Sequence, residues 1–344
     1  MRSSFFSHLV NGPFGDPALY VRVAHQGDAL LFDCGDLHPL TARDLFKIRA
    51  AFISHGHIDH LVGFDQLLRT RLCGDDTLNI CGPEGILELL TQRLRGYTWN
   101  LTQGYSFRIR VRELTGSHWR EREFSAANRF LPGPATTGEA PSGELYATPH
   151  YRVRACPLQH GDITSLAFSL EESLHVGIHK EALEKYGLQA GPWLTRFKEC
   201  IRAGAADNEQ IVARLINGNE KLLSVGVLRN HIAHCERGMK VVYVTDADPS
   251  PDNLRRIEDL ALDAHLLAIE ATFPHRDLER ARQRNHLTAQ LAGKVARRAR
   301  VGRLLVFHHS PRYRSPVDEL DREAQQAFAG LMEMIPKQEN DVAQ

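Results

Sequence analysis

The chain predicts an α/β protein, and three observations carry that reading. Short apolar runs with strand character alternate with helical patterns. The alternation comes in two runs that flank a polar segment. Side chains with metal-binding chemistry stand just beyond the C-terminal ends of several strands. The 344 residues suffice for one large domain or two modest ones, and 42% hydrophobic and 24% charged residues fit a globular protein. Lys+Arg and Asp+Glu both number 42, so net charge is zero and a polyanionic partner must be held by a local patch.

Taken in order, 18–23 and 29–32 read as strands joined by a turn at Gln26-Gly27-Asp28, and Asp33-Cys34-Gly35-Asp36 follows the second. The run Ala51-Phe52-Ile53 is a buried strand. Apolar residues at helical spacing follow over 61–71, then a strand over 78–81 and a helix from Gly82-Pro83-Glu84 to about Leu94. Residues 113–143 break the pattern with Trp119-Arg120-Glu121-Arg122-Glu123 and the loop-like tract 131–138. They read as an insertion and as a passive surface loop. Strands resume at 151–155 and 166–171. A polar helical segment then covers about 181–237, where His231 and His234 read as bystanders. Strands at 241–245, 266–269 and 304–307 alternate with helices opening at Pro249-Ser250-Pro251-Asp252 and at His286-Leu287-Thr288-Ala289. The expected organisation is one domain over 1–338, with the insertion, the helical arm and a frayed tail at 339–344.

No N-terminal apolar core marks a signal peptide, and no run is long enough to span a membrane. Six scattered cysteines lack metal or redox spacing and read as thiols of a reducing cytoplasm.

The chemistry concentrates in Ser54-His55-Gly56-His57-Ile58-Asp59-His60, which puts four potential ligands on one tight loop. Three imidazoles and a carboxylate in one small volume repel and stay hydrated unless cations occupy it. Such a set suits zinc or a similar first-row metal. This stretch resembles the H-x-H-x-D-H signature of the metallo-β-lactamase superfamily. The resemblance implies a four-layer αββα sandwich and two metal ions. One takes His55, His57 and His160, the other takes Asp59, His60 and His308, and Asp246 bridges both. His150 competes with His160, and His309 with His308. Two Zn2+ are expected, with Mn2+ or another divalent ion as alternatives, holding a hydroxide that Asp59 orients as nucleophile. Asp33 resembles the superfamily's D-x-G turn and reads as structural.

Later motifs resemble the ribonuclease Z branch, endonucleases that remove tRNA 3′ trailers. They are His286-Leu287-Thr288, His308-His309-Ser310-Pro311-Arg312-Tyr313, Ile269-Glu270-Ala271-Thr272 and, around Gly191-Pro192, the 185–193 arm. The resemblance implies His286 as general acid oriented by Glu270, Arg312 gripping a phosphate with Tyr313 beside it, a tRNA precursor as substrate, and a possible homodimer. An arginine-rich stretch over 276–303 either tracks an RNA backbone or is a solvated helix face. The chain departs from the branch in its N-terminal segment, in Ile269 where a histidine is usual, and in its diluted arm. Two alternatives therefore stand beside the tRNA processor: a hydrolase of a small phosphodiester, cyclic nucleotide or ester, and a non-catalytic RNA-binding protein.

Overall fold

The computed structural model describes residues 4–24 and 26–331, and the tail expected to fray lies outside them. Where the sequence reads as one domain, the chain forms two compact units. Among the described residues the larger comprises 4–145, Val153–Ser169 and 240–331, and the smaller Tyr146–Arg152 and Leu170–Met239.

The first sheet runs in chain order through β1 (Phe5–Leu9), β2 (Leu19–Val23), β3 (Ala29–Phe32), β4 (Ile48–Phe52), β5 (Thr77–Pro83), β6 (Arg108–Thr115), β7 (His118–Ser125) and β8 (Thr136–Glu139). Strands β9 (Glu144–Ala147), β10 (Tyr151–His160) and β11 (Ile163–Glu172) belong to the second sheet. Four short strands follow, β12 (His175–Ile178), β13 (Gln210–Arg214), β14 (Glu220–Ser224) and β15 (Ala233–Glu236). Then β16 (Lys240–Val244), β17 (Leu266–Glu270) and β18 (Leu304–Phe307) complete the second sheet in the order β18-β17-β16-β11-β10-β9.

The central strands β3, β4 and β5 pair in parallel, as do β16, β17 and β18. Their near-continuous apolar sequence follows from burial on both faces. Side chains alternate accordingly. Leu31, Ala51 and Ile80 face an outer core built with α1 (Ala42–Lys47), α2 (Phe64–Arg71) and α3 (Ile86–Arg95). The helices α4 (Lys180–Lys185), α5 (Trp193–Arg202) and α6 (Val225–Ile232) lie in the smaller unit, and α7 (Pro251–Ala261), α8 (Leu278–Arg284), α9 (Ala289–Arg298) and α10 (Glu319–Ala329) follow. Val242, Val244, Leu267 and Val306 face a second outer core that includes residues of α7, α9 and α10. Between the sheets, Phe32 meets Phe52, Phe168 and Tyr243 at ring distances of 5.1, 5.9 and 5.8 Å, and Tyr243 stacks on Phe307 at 5.2 Å. Helices outside two packed sheets make the expected αββα sandwich.

Two sequence expectations change. Residues 113–143 are not a surface loop: they carry the end of β6 and all of β7 and β8. Register explains the charged sequence, because Glu113, Arg112 and Arg110 sit directly opposite Arg120, Glu121 and Glu123. Glu113 is buried and accepts the Gly85 and Leu87 amides at the start of α3, a favourable place for an anion. The arm over 181–237 is also not simply helical. The smaller unit pairs β12 with β15 and β13 with β14, and closes its own core around Val176, Trp193, Phe197, Ile211 and Leu228.

Phe52 is fully buried between the sheets, so Phe52→Ala should cost about 3–5 kcal/mol of stability. Urea unfolding of wild type and variant measures this as a lowered midpoint with an unchanged slope.

Candidate metal centre

Apart from His286, which follows α8, every clustered side chain emerges from a strand end of the larger unit. Asp33 follows β3, the 54–60 loop follows β4, His160 ends β10, Asp246 follows β16, Glu270 ends β17 and His308 follows β18. Asp33, Asp246 and His308 have left-handed backbones, with φ of 55°, 46° and 58°. Such residues cost on the order of 1–3 kcal/mol each and persist where surrounding structure enforces them. Here they turn the chain sharply so that side chains aim along the sheet edge.

Asp33 anchors the loop. Its Oδ1 accepts the Ser54 amide at 2.7 Å, and its Oδ2 accepts the Ser54 and Tyr243 hydroxyls, each at 2.8 Å. The same oxygen lies 2.8 Å from His60 Nδ1, which fixes that ring with Nε2 facing the cluster. Loop exit depends on Gly63, where a Cβ would sit 2.1 Å from the Gly35 carbonyl oxygen. No side chain fits, so the D-x-G turn and the metal loop close against each other through bare backbone.

Asp246 Oδ2 lies 3.5 Å from His55 Nε2 and 3.6 Å from both His60 Nε2 and His160 Nε2. Asp59 Oδ2 lies 3.4 Å from His60 Nε2 and 3.5 Å from His308 Nε2. These separations exceed good hydrogen bonds. They match the edge, about 3.4 Å, of a tetrahedron whose corners are about 2.1 Å from a zinc-sized ion. The buried His55 Nε2 and His60 Nε2 have no hydrogen-bond partner among the described residues, while His308 Nδ1 lies 2.9 Å from Asp246 Oδ1. Two groups can therefore each surround a cation: His55, His57, His160 and Asp246, and Asp59, His60 and His308. The donor set fits divalent metal.

Both open choices in the sequence resolve. His160 is in the cluster, with its Nδ1–H donating to the Asn285 carbonyl at 2.9 Å, whereas His150 is not. His309 turns away, donating from Nδ1 to the Ala271 carbonyl at 2.8 Å and packing its ring against Phe14.

A third group joins Asp246, Glu270, His286 and His308. Glu270 is already saturated, since Oε1 accepts the Ala247 amide and Oε2 the Thr272 hydroxyl and His286 Nδ1, all within 2.8 Å. It is a hydrogen-bonded partner of His286 and not a free ligand. Ile269, which replaces the usual histidine, is fully buried in the outer core against the helices and leaves the site untouched.

Electrostatics follow from burial and pairing. Burial pushes His55 down to about 3, with the charge of His60 adding to it. For His60 burial opposes the charge, but Asp33 and Asp246 outweigh it and hold the ring well above its ordinary value. His308 is raised likewise by Asp246 and Asp59. Burial also opposes ionisation of Asp246, Asp59 and Glu270. His308 and His60 nevertheless hold Asp246 and Asp59 far below the carboxylate range, and His286 draws Glu270 down to about 2. His286 in turn is raised by Glu270 against the effect of its burial. Ionised carboxylates beside protonated imidazoles make a site where cations can displace protons.

A cavity of about 570 Å³ opens over the cluster, lined by His57, Asp59, His160, Asp246, His286 and His308 together with Phe14, Arg280 and Arg284. Arg312 is exposed and does not line it, while Tyr313 is buried against Phe273 and donates to Asp277 at 2.7 Å. The phosphate-gripping role expected for Arg312 therefore has no geometric support. Sequence reasoning missed Tyr243 and Asn285. Tyr243 left a trace as the one polar-tipped residue in the Val241–Val244 run, while nothing local marks Asn285.

No family model matches the chain. It is 31% identical over 328 residues to ribonuclease Z of Deinococcus radiodurans, covering 93% of this chain and 95% of that one. The chain belongs to the ribonuclease Z family. Ribonuclease Z of Haloferax volcanii is 28% identical, covering 90% of this chain and 84% of the other. Among solved structures, the metallo-beta-lactamase fold protein YhfI from Bacillus subtilis aligns with a TM-score of 0.51 at 18% identity, covering 93% of this chain and 91% of that one. Unliganded yeast PDE1 aligns at 0.52 and 9% identity, covering 96% and 94%. The likeness to YhfI establishes the metallo-β-lactamase fold. Membership makes the chain a metal-dependent hydrolase with endonuclease chemistry, and the clustered imidazoles and carboxylates supply the site that divalent metal use requires.

Asp33→Asn removes the charge that holds His60. Metal affinity should fall about 10–100-fold while the fold persists, as measured by competition with a fluorescent chelator.

Proposed function

We propose that the chain is an endoribonuclease that removes the 3′ trailer of tRNA precursors, and that His55, His57, His160, Asp59, His60, His308 and Asp246 would hold the two divalent ions it uses. Zinc suits this nitrogen-rich set, with manganese or another divalent ion as the alternative. The observation that carries the reading is the Glu270–His286 pair, 2.8 Å apart, in which His286 lines the same cavity as the metal-ligand cluster and the buried Glu270 holds it from behind. Hydrolysing a phosphodiester demands a proton for the departing 3′ oxygen. When bound, the metals supply Lewis acidity and make water acidic near neutral pH.

The residues of the chain do the rest. His286, raised by Glu270, holds a proton at Nε2 and delivers it to the leaving oxygen as general acid. Glu270 fixes the ring through Nδ1. Asp59 stays ionised and offers a carboxylate oxygen to orient the attacking water.

The rival reading is a hydrolase of a small phosphodiester, cyclic nucleotide or ester, favoured by the zero net charge of the chain. A homodimer and a cytoplasmic setting complete the proposal. The six cysteines are all free, and no helix among the described residues is long and apolar enough to cross a membrane.

Incubation of metal-replete protein with a 3′-extended tRNA precursor should give one cut just after the discriminator base. Absence of that cut, with hydrolysis of an aryl phosphodiester retained, moves the assignment to the rival. His57→Ala should lose metal and activity together. His286→Ala should keep its metal content by elemental analysis yet lose about 10²–10⁴-fold in kcat. Since the protonated His286 is the active form, activity declines as pH rises through its pKa. Glu270→Gln removes the charge that raises that pKa, so the alkaline limb of the pH–rate profile should move to lower pH.

A further inference from the structure

The stretch before His286 carries four arginines, and their partners divide them. Arg276 pairs with Glu319, and Arg282 pairs with Glu279 at 2.5 Å. Arg280 and Arg284 have no hydrogen bond or ion pair among the described residues. Unpaired guanidinium groups at adjoining positions of one helix face repel each other, and an anion relieves that cost.

Position adds to this. Arg280 and Arg284 are one turn apart on α8, a step of about 6 Å along the helix. Both line the cavity over the metal-ligand cluster, and both line a second cavity along α8 with Arg276, Gln283, Asp277, which accepts from Tyr313, and Glu279, which is neutralised by Arg282. The two cavities therefore share these arginines. The helix is also tied to the centre. Its cap Asn285 is left-handed and its carbonyl accepts a hydrogen bond from His160 Nδ1–H, and the next residue is His286. The guanidinium groups thus ride on a helix whose end is fixed to the catalytic edge.

We propose that Arg280 and Arg284 form a phosphate ladder that binds a single RNA strand on one flank of the cleaved bond. This rests on reading the site as one for a nucleotide chain. Recruitment of a polyanion by a protein of zero net charge then has a local source.

The test uses the metal-replete full chain and a fluorescein-labelled single-stranded phosphorothioate oligoribonucleotide that resists hydrolysis. Anisotropy titrations across a salt series give Kd and its salt slope. R280Q/R284Q should raise Kd at least about tenfold and reduce the slope by about 1.4, the value for two lost single-strand phosphate contacts. R280K/R284K should restore most of that slope, and R282Q, on the paired side of α8, should leave it unchanged. Unchanged Kd and slope in R280Q/R284Q would overturn the ladder. Equal loss in R282Q would overturn it too, by reducing the effect to net charge. Cleavage of the tRNA precursor is scored separately, so failure to cut at the discriminator sinks the substrate assignment and leaves this binding result intact.

Discussion

The buried contact between Asp33 and His60 is the constraint on which the rest of the centre depends. A carboxylate and an imidazole, both fully buried, are costly to desolvate and hold only if their remaining hydrogen-bonding capacity is met. Asp33 meets it from three directions: the Ser54 amide and hydroxyl from the metal loop, and the Tyr243 hydroxyl from the opposing sheet. One carboxylate thereby joins β3, the loop after β4 and β16. The two sheets are pinned to each other at the very edge where the ligands converge, so core packing and site geometry are not separable there.

Much of this was legible in the sequence where chemistry and chain order coincide. His55, His57, Asp59 and His60 stand on one loop, and any spacing argument finds them. Asp246 and His308 were legible because each directly follows an apolar strand. The choice between His308 and His309 was not legible, since it turns on a left-handed backbone at His308 that sends the neighbouring ring to the Ala271 carbonyl.

Other elements were hidden by composition. β7 reads as a charged loop because its arginines and glutamates pair across to β6, which no single strand can announce. The β13–β14 hairpin in the smaller unit did carry a signal, with Asn217-Gly218 between two alternating segments, but the polar surroundings drew the reading toward helix. The arginines of α8 were visible as a cluster. Which of them are neutralised by glutamate and which face the cavity depended on contacts absent from local sequence.

The left-handed residues Asp33, Asp246 and His308 carry a consequence for how this chain can change. Glycine would adopt the Asp246 and His308 backbones without strain, so relief of strain is open at these two positions of the centre, whereas Asp33 is held by the hydrogen bonds that pin the sheets. Each such gain would delete a carboxylate or an imidazole. Robustness and chemistry therefore compete at Asp246 and His308, and selection for a sturdier protein alone would erode the centre there. A variant meant to survive heat must find its stability elsewhere, in the outer cores beneath α1 to α3 or α7 to α10.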